Sequence, residues 1–525
     1  MRKILLASAA LLGASSGGAF AQLAPTTPPA PSTAYNQSQG HYAAPWFGAP
    51  SAQNYNNSFG STFGGAKVPV LGAQPSPGTV VIRLNGKVYA EVSAAWGTVL
   101  HTAPGTFGSA GYKLNPVGME SFFRLYPGID GMATNGLRYG AAVELRENFM
   151  GGDSFGTPAA VPATAATGTA GFSTTAAIGT ATSASGNSSG QTVYVRRAFV
   201  YMGADQVGIV RLGQQDGLVG IYDMLGKFTT GIWDGGIGNL NNSANQGSTP
   251  SQYLISWPFM SGNGTEYGDN KIVYLSPSLY GVDVGFEYGP NMGNSFSQSV
   301  TSDAYAPGTC TVASANCINL ASGQDGSRWI NRWTFGARFI EEFAGADVEG
   351  YGLYVVSGHE NNTAAGGQIL AGPKNISAGT GNLLYDGLNF FNGGLQATWN
   401  GITANVDVTY GRENGSNAMV PKGGVSMHGQ LFGLSYFSGP WSFGADAAII
   451  DSQGTAQLTH TSQRHEFATA VGGAYRIAPG IVMCLEYMYE QKHQGDFNFD
   501  SNSVGSPIGN DIHIQGVVFA TIVNW

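Results

Sequence analysis

The strongest constraint on this chain is a rhythm of short segments in which apolar and polar side chains alternate, joined by connections that are alternately brief and long. From Thr79 to Trp96, Ile82, Leu84, Gly86, Val88, Ala90 and Val92 share one face. Arg83, Asn85, Lys87, Tyr89, Glu91 and Ser93 share the other. A period of two is that of a β-strand, and one apolar face means that each strand is buried on one side only. The pattern returns over Leu137–Glu147, Ile402–Tyr410, Trp441–Ile449 and Ile481–Glu490. Sixteen such segments can be counted, near Val80, Phe122, Val143, Val195, Ile209, Val273, Val284, Phe335, Tyr351, Leu395, Val406, Leu431, Ala445, Val471, Leu485 and Val518.

Short links fall at Ala204–Gln206, Pro277–Tyr280, Trp399–Gly401, Ser438–Pro440 and Ala478–Gly480. Long ones include Gly151–Gly190, Gln214–Asn270, Pro290–Ser327, Gly358–Gly387 and Lys492–Asp511. Tight turns on one rim and long loops on the other are the mark of an antiparallel β-barrel in a membrane. A soluble sandwich needs a core between two sheets, whereas these apolar faces are simple enough to meet lipid. In hydrocarbon an open sheet edge is not tolerated, so an even number of strands closing on themselves is the expected fold. Trp329, Trp333, Trp399, Trp441, Tyr487 and Tyr489 stand at strand positions suited to interfacial belts.

The chain starts as an exported protein would. Arg2 and Lys3 precede an apolar run from Ile4 to Ala14, and Ala19-Phe20-Ala21 has the small residues of a cleavage site, so residues 1–21 are expected to be a signal peptide. Loss of Arg2 and Lys3 reduces 23 Lys and Arg to 21 against 32 Asp and Glu, a charge of −11 that argues against nucleic acid. No later run approaches the length of a membrane-spanning helix. Charged residues make up 10% of the chain, well below the share in soluble domains, so the exterior is not a conventional charged surface. Residues 22–78 contain one charge, Lys67, amid Pro, Ala, Asn, Gln and Tyr, and are read as a flexible periplasmic tail. Cell-wall attachment and a plug in the barrel are the functional alternatives for it. Cys310 and Cys317 lie close together in a polar stretch exposed to oxidising conditions, and a disulfide between them is expected. Cys484 reads as a packing residue.

If apolar faces meet lipid, strand parity turns the opposite faces to the lumen. Arg83, Lys87, Arg124, Arg138, Arg146, Arg211, Arg328, Arg332 and Arg338 then form a basic wall drawn largely from the first half of the barrel. The second half contributes Asp407, Asp446, Glu486 and Glu490, with Asp283 and Glu287 between. Water in a wide lumen would keep such charges solvated, whereas a cation facing lipid costs about 2–4 kcal/mol near the midplane. The connection Gln214–Asn270 carries Asp216, Tyr222, Asp223, Phe228, Trp233 and Asp234; folded inward, it would narrow the lumen and set acidic groups opposite arginines.

The run Arg197-Ala198-Phe199-Val200-Tyr201-Met202-Gly203, followed by Gly208-Ile209-Val210-Arg211-Leu212-Gly213-Gln214, resembles the hairpin before the constriction loop of Gram-negative trimeric porins. Lys271–Pro277 with Tyr280-Gly281 is similar to the hairpin after it. The aromatic end Val523-Asn524-Trp525 is similar to the terminal-strand signal read by the barrel-assembly machinery. The resemblance covers 79–525 in architecture and implies a homotrimer and a general diffusion pore of the alphaproteobacterial type. The chain departs from the family in its tail, in Trp525 where Phe is usual, and in the Ala/Thr/Ser-rich stretch Thr157–Ser189.

No cofactor or metal is implied, and no enzyme. His460, His465 and His493 show no metal-ligand spacing, there is no nucleophile elbow or phosphate loop, and Glu341 and Glu342 read as turn carboxylates. The reading is therefore passive passage of small hydrophilic solutes and ions across the outer membrane. Its rivals are a sugar-selective pore with Tyr222, Phe228 and Trp233 as an aromatic track, a structural or adhesive barrel, and a secreted β-rich binding protein.

Overall fold

The computed structural model describes residues 75–97, 117–148, 193–204, 206–215, 217–222, 270–277, 279–291, 329–359, 363–364, 368–369, 385–414, 419–454, 462–478, 481–499, 503–505 and 508–525. The sixteen expected segments are sixteen strands. They are β1 (Thr79–Gly97), β2 (Val117–Met132), β3 (Arg138–Asn148), β4 (Val193–Ala204), β5 (Gly208–Gln214), β6 (Asn270–Leu275), β7 (Val282–Asn291) and β8 (Trp329–Phe343). After them come β9 (Ala346–His359), β10 (Asn389–Trp399), β11 (Ile402–Arg412), β12 (Met427–Ser438), β13 (Trp441–Ser452), β14 (Arg464–Ala478), β15 (Ile481–His493) and β16 (Asp511–Asn524). Each pairs antiparallel with its neighbours in sequence, and β16 returns to β1, closing the barrel. Among the described residues one short helix, α1 (Leu218–Tyr222), follows β5.

One rim carries the tight turns and the other the long connections. Asn400 and Gly401, with φ of 49° and 80°, and Ala344 and Gly345, at 52° and 83°, are left-handed pairs. That is the backbone a two-residue hairpin needs to match the twist of its strands. The tilt follows from the register. From Gly97, paired residues lead through Ile514, Glu490, Ala468, Ala448, Leu431, Asp407, Gly394, Tyr351 and Arg338 to Asp283. Continued to β1, this path arrives roughly twenty residues from where it began, the stagger of a barrel whose strands lean by about 40°.

β1 and β16 pair along Lys87–Gly97 and Ile514–Asn524, and Trp525 extends the seam by one further pair. The Trp525 amide donates to the Gly86 carbonyl and the Gly86 amide to the Trp525 carbonyl, both at 3.1 Å. A β-carbon on Gly86 would collide with the Trp525 ring, so glycine is what lets the indole lie across the seam.

The two faces of the wall have the expected polarity. Ile82, Met119, Val200, Leu212, Leu434 and Leu485 are exposed on the outside, as are Trp333, Trp399 and Trp441. Trp329 is an exception to the belt expectation. It is 1% exposed and lies inside, because the register of β8 slips between Ile330 and Trp333, where Asn331 is left-handed, and parity reverses there. No helix among the described residues is long and apolar enough to cross a membrane; the strands supply the apolar surface instead.

Candidate functional site

The densest polar cluster on the inner wall spans β6 to β9, and α1 is built into it. Glu287 of β7 is fully buried at its centre. Its carboxylate accepts from Arg332 Nη2 at 2.6 Å, meets Lys271 Nζ at 3.6 Å, and accepts the Leu218 backbone amide at 2.6 Å. One carboxylate thus balances two cations and caps the first turn of the helix, whose early amides have no partner within it. Four residues back along β7 on the same face, Asp283 accepts the Tyr222 hydroxyl at 2.6 Å and the Arg338 Nε at 3.4 Å. The Arg338 guanidinium lies 4.7 Å from the Tyr222 ring centroid and 3.9 Å from Glu349 of β9. Both ends of α1 are therefore fastened to the wall through ionised groups.

Small residues make room for the helix. A β-carbon on Gly285 would stand 2.5 Å from Leu218 and 2.8 Å from the Tyr222 hydroxyl; one on Gly336 would stand 3.0 Å from the Tyr222 ring. Leu218, Val219, Ile221 and Tyr222 are each at most 2% exposed. Just before the helix, Gln215 donates to the Lys271 carbonyl at 3.0 Å. The start of the connection after β5, as far as Tyr222, thus lies against the inner wall; the rest of the expected inward loop, 223–269, falls outside the described residues.

Elsewhere the charges are paired locally. Arg197 meets Glu144 at 2.7 Å, Tyr201 donates to Asp130, and Tyr89 donates to Glu91. Asp407 accepts from Tyr351 and, at 2.8 Å, from Asn392. Lys492 bridges Glu490 at 3.2 Å and Glu466 at 3.6 Å. Arg211 stacks over Phe199 and Arg332 over Trp329, each at 4.7 Å.

Of the basic positions inferred by parity, Arg124, Arg211, Arg332 and Arg338 lie on the buried inner face, and Arg138 is half-buried at the start of β3. The side chains of Arg83, Lys87 and Arg146, and the whole of Arg328, lie outside the described residues. The acidic positions Asp283, Glu287, Asp407, Asp446, Glu486 and Glu490 are all buried on the inner face. Tyr222 is in α1; Asp216, Asp223, Phe228, Trp233, Asp234, Cys310 and Cys317 fall outside the described set. Cys484 is a free, buried thiol on the inner wall.

Two expectations are corrected. The division into a basic first half and an acidic second half fails, because Glu91, Asp130 and Glu144 sit among the early strands and Arg464 and Lys492 among the late ones. Nor are the described wall charges left in bulk water: Arg211, Glu287, Arg332 and Glu486 have no exposure at all. Lys271, Arg197 and Glu349 were missed although their parity was readable. The carboxylate cap on α1 had no signal in the sequence.

Sixteen antiparallel strands in a closed ring, with α1 held against the inner wall, decide the architecture. The chain is a closed sixteen-stranded β-barrel. Among solved structures, this barrel is similar to an outer-membrane channel, DcaP, of Acinetobacter baumannii, at 10% identity and a TM-score of 0.44, covering 87% of this chain and 100% of that one. It is similar to OmpT of Vibrio cholerae, an outer membrane protein described in a trimer form, at 10% identity and 0.42, covering 85% and 100%. A triple mutant of Rhodopseudomonas blastica porin gives 12% identity and 0.39, again over 85% and 100%. These are loose likenesses, and the functional reading rests on the wall itself. No protein-family model matches the sequence, and no curated protein does.

Proposed function

We propose that this protein is an outer-membrane channel through which small hydrophilic solutes and ions diffuse passively, filtered by size and charge at the β6–β9 wall. The observation that carries this reading is the fastening of α1 inside the barrel by Glu287 and by Asp283 with Arg338. A segment held against the inner wall by charged groups narrows the bore and sets fixed charges beside it, which is how charge rings and constrictions select ions. Arg124, Arg138 and Arg211 belong with Asp407, Asp446, Glu486 and Glu490 to the inner wall along the path in this reading, with Arg83, Lys87 and Arg146 assigned to it by parity.

The sugar-selective alternative is the weaker one. Its aromatic track needs a free Tyr222 face, and that ring is buried under Arg338. Cleavage after Ala21, delivery by the barrel-assembly machinery, lipid around the barrel and assembly as a homotrimer belong to the same proposal.

Conductance of the purified protein in a planar bilayer tests it. Open-channel steps that scale with salt are expected, and neutralising Arg124 and Arg138 should move the reversal potential toward cation preference. A refolded barrel that passes no current would overturn the channel reading, and saturable block by a sugar would favour the selective pore.

A further inference from the structure

Four histidines that look scattered in the sequence are gathered by the barrel onto one patch of its outer surface. In register, Tyr410 of β11 lies opposite His428 of β12, His428 opposite Asp451 of β13, and Asp451 opposite His465 of β14. His465 faces His493 of β15, and His493 faces Asp511 of β16, with His513 two residues further along the same face. The row runs around the rim that carries the long connections, above outward apolar residues such as Ile449, Phe467 and Leu485. It is open to solvent: the side chains of His465 and His493 are 57% and 47% exposed.

The hydrogen bonds fix which nitrogen is free. His465 Nδ1 meets Asp451 Oδ1, and His493 Nδ1 meets Asp511 Oδ1 at 2.7 Å. A carboxylate only accepts, so Nδ1 carries the proton in the neutral ring and Nε2 presents its lone pair outward. Carboxylates that hold imidazoles in this tautomer are the usual outer support of metal-binding histidines. The two rings are near-parallel, 18° apart, with centroids 6.5 Å from each other. Directly opposed residues of an antiparallel pair have backbones close enough for both side chains to reach one point.

We propose that His465 and His493 form a surface site for a divalent transition-metal ion, with Asp451 and Asp511 as positioning residues and water completing the coordination. Among the described residues no group of three or more His, Cys, Asp or Glu converges to hold a metal, so the protein offers two imidazoles and the rings swing toward each other on binding. Imidazole selects zinc, copper or nickel over magnesium or calcium, which prefer oxygen. The site faces away from the lumen, so it adds a surface activity independent of passage through the channel.

The test is calorimetric titration of Zn²⁺ into the full-length protein in detergent. Binding of one ion is expected, lost or weakened at least tenfold in the double variant His465→Gln, His493→Gln. Asp451→Asn with Asp511→Asn should weaken it by about 10–100-fold, the usual cost of removing such support, and His428→Gln should leave it unchanged. Absence of Zn²⁺ binding, or undiminished affinity in the double histidine variant, would overturn the proposal. X-ray absorption on the zinc-loaded wild type gives a check that needs no variant to fold: two imidazole nitrogens are expected, and none would reject the site.

Discussion

Two stretches of the same inner wall are built on opposite principles. From β6 to β9 the wall is a knot of ions in which Glu287 serves Lys271, Arg332 and the Leu218 amide at once, and Asp283 serves Tyr222 and Arg338. From β13 to β16 its middle is smoother: Ala448, Ala470, Cys484, Met488 and Val518, each at most 3% exposed, lie beside Asp446 and Glu486, with the Lys492–Glu490–Glu466 ion pairs nearer the rim. Glu486 stands in that smooth stretch with neither carboxylate oxygen hydrogen-bonded. Position around the ring does not impose this difference, since apart from local slips such as that at Asn331 the strands alternate faces alike. The difference is in what each wall holds: the ionic stretch anchors a segment of the chain, and charged groups on such an anchor must be matched or they are very costly to bury.

The contrast can be broken most directly at its centre. Glu287→Leu leaves Lys271 and Arg332 buried without their shared counter-charge and should cost roughly 3–5 kcal/mol. Glu486→Gln should be neutral to within about 1 kcal/mol, since no hydrogen bond to its side chain is lost. Urea-dependent folding into detergent micelles reads both, and equal losses would erase the distinction.

Next in size is Gly285→Leu, which puts a side chain where Leu218 and Tyr222 lie and should cost about 1–3 kcal/mol by overpacking. By dislodging α1 it should also raise single-channel conductance, whereas Ala470→Leu on the smooth wall should not. A smaller effect is expected of Tyr222→Phe. It removes one hydrogen bond to Asp283, worth about 1–1.5 kcal/mol, and keeps the ring under Arg338; a lower unfolding midpoint with unchanged reversal potential is the expected result. The smallest is Asp446→Asn with Glu486→Gln, which should lower cation preference by a few millivolts of reversal potential at a tenfold salt gradient while stability holds. A larger shift than that from the arginine variants would move the filter to the smooth wall.

Most of the fold was legible because a half-buried strand writes its two faces directly into the sequence, and the turns at Asn400-Gly401 and Ser438–Pro440 write its ends. The inward positions of Asp283, Glu287, Arg332 and Arg338 followed from parity alone. Parity fails where the backbone breaks step, as at Asn331, and so Trp329 was placed on the wrong side. Which charges meet is also hidden, because Glu287 reaches Lys271 and Arg332 only through the register of β6, β7 and β8. The helix α1 is five residues long, too short for an amphipathic period, and its place is set by the glycines opposite rather than by its own sequence. The histidines showed no spacing because their spacing is across strands.

The seam between β1 and β16 has a consequence for how the wall can form. Lys87–Gly97 of the first strand pair with Ile514–Asn524 of the last, so the two strands furthest apart in sequence are neighbours in the ring. A sheet lacking either one has two open edges, which hydrocarbon does not tolerate. Closure is therefore one long-range event, and no run of consecutive strands completes the ring by itself.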